Sequence, residues 1–366
     1  MNPADVFSEN YEQARARFRD AAARRGAWLQ STRNPARSPS GVALTTDVAW
    51  LGRSTASRVL VIISGTHGVE GFAGSAIQTA WLHKADPSTL PDDLAVMLVH
   101  ALNPFGFAWQ RRVNEDNVDL NRNFVNWDLP RVENDGYHTL HEALMTDEAD
   151  TASRGWADAV LQEFIGRYGA SAFQEALARG QYQYSEGLFY GGSGPTWSAR
   201  VIESLAMLNL GGASEVALVD LHTGLGAYGE AQIVAFDAPG SKELRRAQAW
   251  FGKSVGTPGA RSSISSNLDG TLYEAWKRWL GNRVLTSVAV EFGTHSVPVA
   301  LAALRAEAIA WRDEPYGGSQ KVLRARAALR AFFDVPSEEW RVRVLSGGLD
   351  VLYAALEGLA GGRVTV

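Results

Sequence analysis

His67 and Glu70 follow directly after the apolar residues 59–63 and a glycine turn. Residues 59–63 are all valine, leucine or isoleucine, which is typical of a strand buried on both faces. Open α/β sheets bind ligands at the carboxyl ends of their strands, so this position predicts a ligand crevice. A catalytic zinc site needs three protein ligands, and an imidazole with a carboxylate supplies two of them. His222, which ends a later apolar run, is the predicted third ligand.

Glu291 lies inside another apolar segment, residues 288–293. A carboxylate in a strand is costly to bury unless it is paired or lies beside a cation. A nearby zinc ion and its water would rationalise Glu291, which could accept a proton from that water as general base. The alternative is an ion pair with an arginine at the strand end. His67 and His222, taken singly, would be hydrogen-bonded loop residues, so the zinc hypothesis depends on their joint placement at strand ends.

An asparagine-rich segment, residues 103–124, follows a further apolar run and contains three arginines. Aromatic residues are interspersed in it, so we expect an ordered loop. Arg122 suits recognition of a carboxylate, because a guanidinium group offers two parallel hydrogen bonds. Arg111 or Arg112 could polarise a carbonyl group and stabilise the oxyanion that forms. The alternative is that these arginines pair with acidic residues of the same loop.

The remaining histidines carry weaker predictions. His83 falls in a predicted helix and His100 in a predicted strand, and we assign both to structure. His138 and His141 are three residues apart and could bind a metal on a helix face, with no further residue in support. His295 could line the cleft without being a metal ligand.

Strand-like segments alternate with segments of helical periodicity along the chain. The predicted strands are residues 42–51, 58–63, 94–101, 215–221 and 284–292, and the predicted helices are residues 7–26, 71–82, 156–177, 197–210, 242–251, 300–311, 321–333 and 349–359. This alternation predicts an α/β fold, a three-layer sandwich with a mostly parallel, mixed central sheet. We predict a single domain over residues 1–366, with a core at about 40–315 and helical additions at both ends. Residues 134–190 are predicted to be a helical cover.

Composition narrows the classes of function. The chain has 366 residues, of which 46% are hydrophobic, as in a globular protein with a sizeable core. Its net charge of −5 gives no reason to expect nucleic acid or an anionic membrane as partner. The chain has no cysteine, so a metal must be held by nitrogen and oxygen ligands. We find neither a secretory signal nor a run of about 18 apolar residues, and we expect a cytoplasmic protein.

Taken together, five pieces of this sequence resemble the zinc carboxypeptidase superfamily, which also contains aspartoacylase and succinylglutamate desuccinylase. They occur in the same order over about residues 58–293, and the likeness is greatest to a bacterial branch known mainly as a domain of unknown function. The pieces are residues 65–70 (Gly-Thr-His-Gly-Val-Glu), 103–106 (Asn-Pro-Phe-Gly), 118–124 (Val-Asp-Leu-Asn-Arg-Asn-Phe), 220–222 (Asp-Leu-His) and Glu291.

The resemblance implies a zinc carboxypeptidase-like fold with one Zn²⁺ ion per chain. His67, Glu70 and His222 would be its ligands. Glu291 would be the general base and later the proton donor. Asp220, two residues before a ligand, is a candidate partner for the imidazole of that ligand.

The resemblance also implies how a substrate would bind. Asn121 and Arg122 would clamp a terminal carboxylate, and Arg112, or its neighbour Arg111, would stabilise the oxyanion. The substrate would then be a small molecule or a short peptide with a free carboxylate. We therefore expect a zinc-dependent hydrolase of the metallocarboxypeptidase type that cleaves an amide bond next to that carboxylate.

One position departs from the peptidases of the superfamily, which carry a tyrosine in a loop before the catalytic glutamate. Here Ser265, Ser266 and Asn267 are nearest, and Tyr273 is offset toward the following helix. The spacing from arginine to asparagine is also short, as in the amidohydrolase members. A deacylase acting on N-acyl amino acids is therefore a second hypothesis. A non-catalytic carboxylate-binding module is the third.

Overall fold

The computed structural model describes residues 1–147, 151–257 and 268–361. Its strands are β1 (Trp28–Arg37), β2 (Ala43–Leu51), β3 (Arg58–Ser64), β4 (Leu94–His100), β5 (Glu215–Tyr228), β6 (Ala231–Val234) and β7 (Val284–Gly293). Within the described residues they form one seven-stranded sheet in the order β1-β2-β4-β3-β5-β7-β6. Strands β4, β3, β5 and β7 are parallel, whereas β1, β2 and β6 run antiparallel to their neighbours. The predicted mixed, mostly parallel sheet is confirmed.

Helices cover both faces of the sheet and make it the middle of three layers. The helices of the described residues are α1 (Tyr11–Arg24), α2 (Gly71–Lys84), α3 (Pro104–Trp109), α4 (Asp135–Leu144), α5 (Thr151–Tyr168), α6 (Ala170–Ala178), α7 (Trp197–Asn209), α8 (Lys242–Phe251), α9 (Leu272–Leu280), α10 (Val297–Asp313), α11 (Gln320–Phe333) and α12 (Glu338–Ala360). Helices α1, α2, α8 and α12 pack on one face, and α7 and α9 pack on the other. The predicted three-layer α/β architecture is therefore confirmed.

Strand β3 shows why the central strands form. Leu60 and Ile62 pack in the core beneath α2 and α12, while Val61 and Ile63 pack in the core beneath α7 and α9. All four side chains are fully buried, because helices cover both faces of the parallel strands. Burying one such side chain contributes about 1.5–3 kcal/mol. This continuous apolar run fixes the strand end from which the candidate site begins.

The segment between β4 and β5 contains α4, α5 and α6, in agreement with the helical cover predicted there. Leu140, Phe164 and Leu177 of these helices share a core with Ile309 of α10. The single helix predicted at residues 156–177 is wrong in one respect, since α5 and α6 are separate helices. Gly169 lies between them, and its φ of +86 is incompatible with a continuous helix.

Two strands at the edges of the sheet are not predicted by the sequence pattern. Strand β1 contains Arg33, Asn34 and Pro35, and Asn34 is its one buried residue. A polar edge strand lacks the alternation of apolar residues by which strands are recognised. Strand β6 has four residues, which is too short for a periodic pattern.

Helix α12 begins eleven residues before the predicted start at residue 349. Gly347 and Gly348 lie in its middle and explain the late predicted start, because glycine weakens a helix. An added Cβ at Gly348 would lie 2.8 Å from Ile77 Cδ1 of α2, so glycine permits the close packing of these two helices. Although α12 has 23 residues, no helix in the described ranges has both the length and the apolarity needed to cross a membrane.

Candidate metal centre

The candidate site lies at the edge of the sheet where the carboxyl ends of β3, β5 and β7 meet. After β3, Gly65 turns the chain with φ +69, and His67 precedes the single 3-10 turn Gly68–Glu70. Strand β5 carries His222, and β7 carries Glu291 directly beside it, since the two residues are register partners. Residues distant in sequence therefore meet because parallel strands end at the same edge.

A close approach of two backbones holds the 3-10 turn in place. Gly68 packs against Gly106 of α3, and an added Cβ at Gly68 would lie 2.1 Å from the carbonyl carbon of Gly106. The amides of Gly68 and Val69 donate to the carbonyl oxygens of Arg112 and Arg111, at 3.0 and 2.8 Å. Only glycine fits such an approach. The loop that carries the arginines is therefore fixed beside the turn.

Two imidazoles face one carboxylate at the centre of the site. His67 Nδ1 lies 2.9 Å from Glu70 Oε1, and His222 Nδ1 lies 2.9 Å from Glu70 Oε2. All three side chains are buried, and one ligand atom of each lies within 4.8 Å of the others. Among the described residues, this is the one such group of three that could hold a metal ion. The structure thus brings together the three predicted ligands.

An aspartate holds each imidazole through its other nitrogen. His67 Nε2 lies 3.1 Å from Asp119 Oδ1, and His222 Nε2 lies 2.8 Å from Asp220 Oδ2. Thr66 Oγ1 donates to Asp220 Oδ1 at 2.7 Å. Arg112 Nη2 also lies 2.9 Å from His67 Nε2. For His222, the carboxylate on Nε2 fixes a proton there and leaves Nδ1 as the atom that can bind a metal. The partner expected for His222, Asp220, is the one observed.

Asp119 is a site residue that the sequence predictions missed. Besides bonding His67, it accepts a hydrogen bond from Arg112 Nε at 3.1 Å. Burial would raise the pKa of Asp119, but Arg112 and His67 outweigh it and hold the pKa well below its usual range. The available signal was its position two residues before Asn121, inside the string that resembles the superfamily. The alternative prediction, that an arginine of this loop pairs with an acidic residue of the same loop, is therefore also met, by Arg112 and Asp119.

Charges around the cluster stabilise its ionised forms. Burial would raise the pKa of Glu70, but His67 and His222 hold that pKa well below its usual range. Burial would lower the pKa of His222, but Asp220 and Glu70 raise it well above the ordinary value. His222 therefore retains a proton on Nδ1 that a metal ion would displace.

The donor set fits a zinc ion. Zinc takes imidazole nitrogen and carboxylate oxygen ligands, and catalytic zinc sites use three of them from the protein. His67 Nδ1 is buried, and although it lies 2.9 Å from Glu70 Oε1, that contact does not have the geometry of a hydrogen bond, so the atom has no hydrogen-bond partner among the described residues. A buried polar atom without a partner is unfavourable unless an ion or water binds to it. Two histidines and one glutamate within reach of one another are therefore suited to a single zinc ion.

Glu291 lies next to this cluster with one oxygen free. Its Oε2 is buried and has no hydrogen-bond partner, and the alternative ion pair with an arginine is not formed within the described residues. Burial raises the pKa of Glu291 to about 7, against the attraction of His222. A carboxyl group with a pKa near 7 can accept and return a proton at neutral pH.

The adjacent arginines have different surroundings. Arg112 Nη1 donates to Glu70 Oε1 at 2.9 Å, within the metal centre. Arg111 is fully buried and bound to α10, where its Nε donates to Glu307 Oε1 at 2.6 Å and its guanidinium group lies 3.9 Å from the centroid of Trp311. The geometry therefore separates the two candidates, and Arg112 is the one beside the predicted ligands.

Asn121 and Arg122 lie on the 3-10 turn Leu120–Arg122, which directly follows Asp119. The amide of Asn121 donates to Asp119 Oδ1 at 3.0 Å. Arg122 is buried, and its Nε donates to the carbonyl oxygen of Ala178 at 2.8 Å. The turn is thus attached to the metal centre through Asp119. Contact of these two residues with a substrate carboxylate stays a prediction.

Tyr273 is bonded away from the predicted ligands. Its hydroxyl donates to Asp237 Oδ1. Residues 265–267, which are nearest to the position of the peptidase tyrosine, lie outside the described residues.

His138 and His141 of α4 contact Tyr184 and Glu186 of the loop that follows α6. The rings of His141 and Tyr184 are stacked with centroids 3.7 Å apart, and the Tyr184 hydroxyl bonds His138 Nδ1. His141 Nε2 also lies 3.2 Å from Glu186 Oε1. Their spacing on one helix face is explained by these contacts. His100 is buried in the sheet, in agreement with its predicted structural role.

Comparison with solved structures identifies the class of fold. The chain is similar to bovine thrombin-activatable fibrinolysis inhibitor, solved in complex with tick carboxypeptidase inhibitor, with a TM-score of 0.50 and 12% identity over 98% of this chain and 99% of that chain. Other matches are carboxypeptidase A from Helicoverpa armigera (TM-score 0.46, 13% identity, 93% of this chain and 73% of that chain) and murein-tripeptide amidase from Escherichia coli O157 (0.36, 18%, 84% and 95%). The fold is carboxypeptidase-like, as the resemblance predicted.

Sequence comparison identifies the family. Residues 7–347 match the family described as "Protein of unknown function (DUF2817)", and the chain belongs to that family. No curated protein matches the sequence. The predicted likeness to a branch known as a domain of unknown function is therefore confirmed.

Proposed function

We propose that this protein is a zinc-dependent hydrolase that cleaves an amide bond next to a free carboxylate. The supporting observation is the cluster of His67, Glu70 and His222 beside Glu291, whose buried Oε2 has no hydrogen-bond partner among the residues that the structure describes. The first three residues would hold one Zn²⁺ ion per chain. That ion would supply a Lewis acid and would lower the pKa of a water molecule toward neutrality.

Glu291 would act as general base and then as proton donor. Burial raises its pKa to about 7, and a neighbouring dication would favour its ionised form. Ionised Glu291 would accept the proton of the attacking water through Oε2. The protonated side chain would then return that proton to the leaving nitrogen, which completes the cycle.

Arg112 would stabilise the negative charge that develops on the substrate carbonyl oxygen. Its Nη1 donates to Glu70 Oε1 at 2.9 Å, which places the guanidinium group beside the residues that would hold the ion. The contact of Arg112 Nε with Asp119, at 3.1 Å, would keep the guanidinium group oriented.

Asn121 and Arg122 would bind the free carboxylate of the substrate. A planar guanidinium group can bond both oxygens of a carboxylate. Burial lowers the pKa of Arg122 from its ordinary value, with Asp119 acting in the opposite direction, and a guanidinium group is charged at neutral pH. A small molecule or a short peptide with a free carboxylate is the substrate class that these groups support.

A deacylase acting on N-acyl amino acids is the second candidate. The hydroxyl of Tyr273 is bonded to Asp237, which argues against this tyrosine taking the part of the peptidase tyrosine. A deacylase would use the same zinc ligands, the same base and the same carboxylate clamp. The two candidates differ only in the acyl group that the site accepts.

A substrate panel tests the proposal. The zinc-loaded protein is assayed with short peptides, with the same peptides amidated at the carboxyl terminus as matched controls, and with N-acetyl amino acids. We expect zinc-dependent hydrolysis that a chelator abolishes and that amidation lowers at least about 100-fold. Preference for peptides supports the carboxypeptidase type, and preference for N-acetyl amino acids supports the deacylase. Tight binding without any turnover would contradict the proposal and support a non-catalytic carboxylate-binding module.

A further inference from the structure

Phe189 lies beside both Arg112 and Arg122. In the proposed function, Arg112 stabilises the oxyanion and Arg122 binds the carboxylate of the substrate. The ring centroid of Phe189 is 5.8 Å from Arg112 Cζ and 5.7 Å from Arg122 Cζ. Both distances lie within the range of about 6 Å in which the face of an aromatic ring attracts a guanidinium group. The exposed fractions of the two arginine side chains are 15% and 3%. Because water is largely excluded, the attraction is stronger than on an exposed surface.

The backbone of Phe189 is strained. Its φ is +53, in the left-handed region that a bulky aromatic residue rarely adopts. Such a conformation persists only where the surrounding structure enforces it, and strained residues cluster at functional sites. Glycine would adopt this φ without strain. The ring of Phe189 is thus held where it is at the expense of local stability.

Hydrogen bonds fix this position from both sides. Phe189 belongs to a segment that we name the aromatic strap (residues 181–191), which lies on the arginine loop (residues 111–124). Bonds that join the strap to the loop include Asn117 Nδ2 to Gly187 O (3.1 Å), Asp119 N to Tyr190 O (2.8 Å) and Asn123 Nδ2 to Gly191 O (2.8 Å). The far side of the strap is anchored by Tyr184, which contacts α4. These bonds hold the aromatic strap, and with it Phe189, in a fixed position relative to the arginine loop.

We propose that Phe189 is a positioning residue that orients the guanidinium groups of Arg112 and Arg122 toward the two ends of the substrate. This inference rests on the proposed function. The two arginines repel each other, as the opposing effect of Arg112 on the pKa of Arg122 indicates. Asp119 lies between them, with Oδ2 3.1 Å from Arg112 Nε and Oδ1 4.0 Å from Arg122 Nη1, and its charge offsets part of this repulsion. An aromatic face attracts both cations as well, and because it accepts no ordinary hydrogen bond it takes up none of the N–H groups that a substrate would need.

Substitutions at position 189 separate the effect of the ring from the effect of the backbone. Phe189→Leu removes the ring, Phe189→Gly removes the ring and relieves the strain at φ +53, and Phe189→Tyr keeps the ring. Tyr316→Leu is the matched control, because Tyr316 is also an aromatic residue with positive φ (+60) and its ring contacts are with Phe105, Trp109 and Trp311.

The kinetic readout is the separate change of kcat and KM in the zinc-loaded protein. We expect Phe189→Leu and Phe189→Gly to lower kcat through Arg112 and to raise KM through Arg122, each about tenfold. Phe189→Tyr should retain most of both parameters, and Tyr316→Leu should change neither. Phe189→Gly should lose activity without a matching fall in melting temperature, which a merely structural role would not produce. Wild-type kcat and KM in Phe189→Gly would overturn the inference.

A binding readout keeps the inference independent of turnover. N-acetyl-L-phenylalanine is titrated calorimetrically into the zinc-loaded Glu291→Gln protein with and without Phe189→Leu. We expect about tenfold weaker binding when the ring is absent. If the wild-type protein hydrolyses nothing but the ring still strengthens binding, the proposed function fails and the inference is supported. If hydrolysis occurs and the ring changes neither binding nor kinetics, the inference fails and the proposed function stands. No binding of the probe to any variant would overturn the inference.

Discussion

Two carboxylates in the sheet have opposite surroundings. Asp47 in β2 is fully buried, and its oxygens accept hydrogen bonds from Arg15 at 2.6 Å, from Arg19 at 2.7 Å and from Thr45 at 3.0 Å. Glu291 in β7 has a buried oxygen, Oε2, that accepts no hydrogen bond from the described part of the chain. Both are strand residues at which an apolar side chain would be the ordinary choice.

The difference in partners produces a difference in pKa. Burial would raise both pKa values, but Arg15 and Ser31 outweigh burial at Asp47 and lower its pKa. At Glu291 burial outweighs the attraction of His222, and the pKa rises to about 7. A fully paired buried carboxylate holds two elements together, whereas an unpaired one beside potential metal ligands is available for proton transfer.

Neutralising Glu291 should have the largest effect on activity. Glu291→Gln keeps the shape of the side chain but removes the base, so we expect kcat to fall about 10²- to 10⁴-fold while one zinc ion stays bound per chain. The matched control is Asp47→Asn, which should destabilise the protein by about 1–3 kcal/mol because the buried side chain loses the charge-assisted hydrogen bonds from Arg15 and Arg19. Its folded fraction should keep wild-type kcat. Loss of zinc from Glu291→Gln would make Glu291 a ligand or a folding residue and contradict this assignment.

Arg112 and Arg111 also differ in their surroundings, since Arg112 lies beside the candidate metal ligands and Arg111 pairs with Glu307 of α10. Arg112→Gln should lower kcat about 10²- to 10³-fold, because the developing oxyanion loses a donor. Arg111→Gln leaves Glu307 buried without its partner, so its main effect should be on the free energy of unfolding, by about 3–5 kcal/mol. Steady-state kinetics and urea titrations of both variants separate the two effects. A larger fall of kcat in Arg111→Gln than in Arg112→Gln would reverse the assignment.

The partner of His222 should affect metal affinity more than the catalytic step. Asp220→Asn should weaken zinc binding about 10- to 100-fold, since the carboxylate orients the imidazole and fixes its tautomer. Thr66→Val should have a smaller effect, because it removes a bond to Asp220. Thr79→Val is the control, since Thr79 is buried but its hydroxyl has no partner. Competition with a chelator measures the affinities, and an unchanged affinity in Asp220→Asn would show that the contact has no role in metal binding.

The smallest expected effect is on the pH dependence of stability. The pKa of Glu291 is raised from its ordinary value of 4.5 to about 7 in the folded, metal-free protein. The folded state therefore binds this proton more tightly, and its contribution to stability is complete below about pH 4.5 and lost as pH rises through about 7. The difference in free energy of unfolding between wild type and Glu291→Gln should change by roughly 3 kcal/mol over this range. Parallel stability profiles would show that Glu291 is not buried as an unpaired acid.

The central strands and the ligands they carry could be predicted from the sequence, because both depend on short-range patterns. An apolar run such as residues 59–63 identifies a buried strand, and parallel strands must end at the same edge of the sheet. His67, Glu70 and His222 were therefore predicted to meet without knowledge of the loops. Strand β1 could not be predicted in this way, since a polar edge strand pairs through its backbone alone.

The surroundings of the ligands could not be predicted, because long-range contacts determine them. Arg111 and Arg112 are neighbours in an irregular loop. Arg111 points away from the candidate metal ligands because it pairs with Glu307 of α10, which lies 196 residues later in the chain. The role of Asp119 likewise depends on how its loop packs beside the Gly68–Glu70 turn. The spacing of apolar residues in the sequence contains no information about such packing. The Phe189 contacts have the same origin.

The zinc content of the purified protein tests the metal centre most directly. Elemental analysis compares wild type, His67→Ala and His138→Ala, where His138 is a histidine that bonds Tyr184 outside the centre. Each variant is first shown to be folded by its melting temperature. The proposed function predicts one zinc ion per chain in wild type and in His138→Ala, and almost none in His67→Ala. A folded His67→Ala protein that still holds one zinc ion per chain would contradict the assignment of the cluster as the metal site.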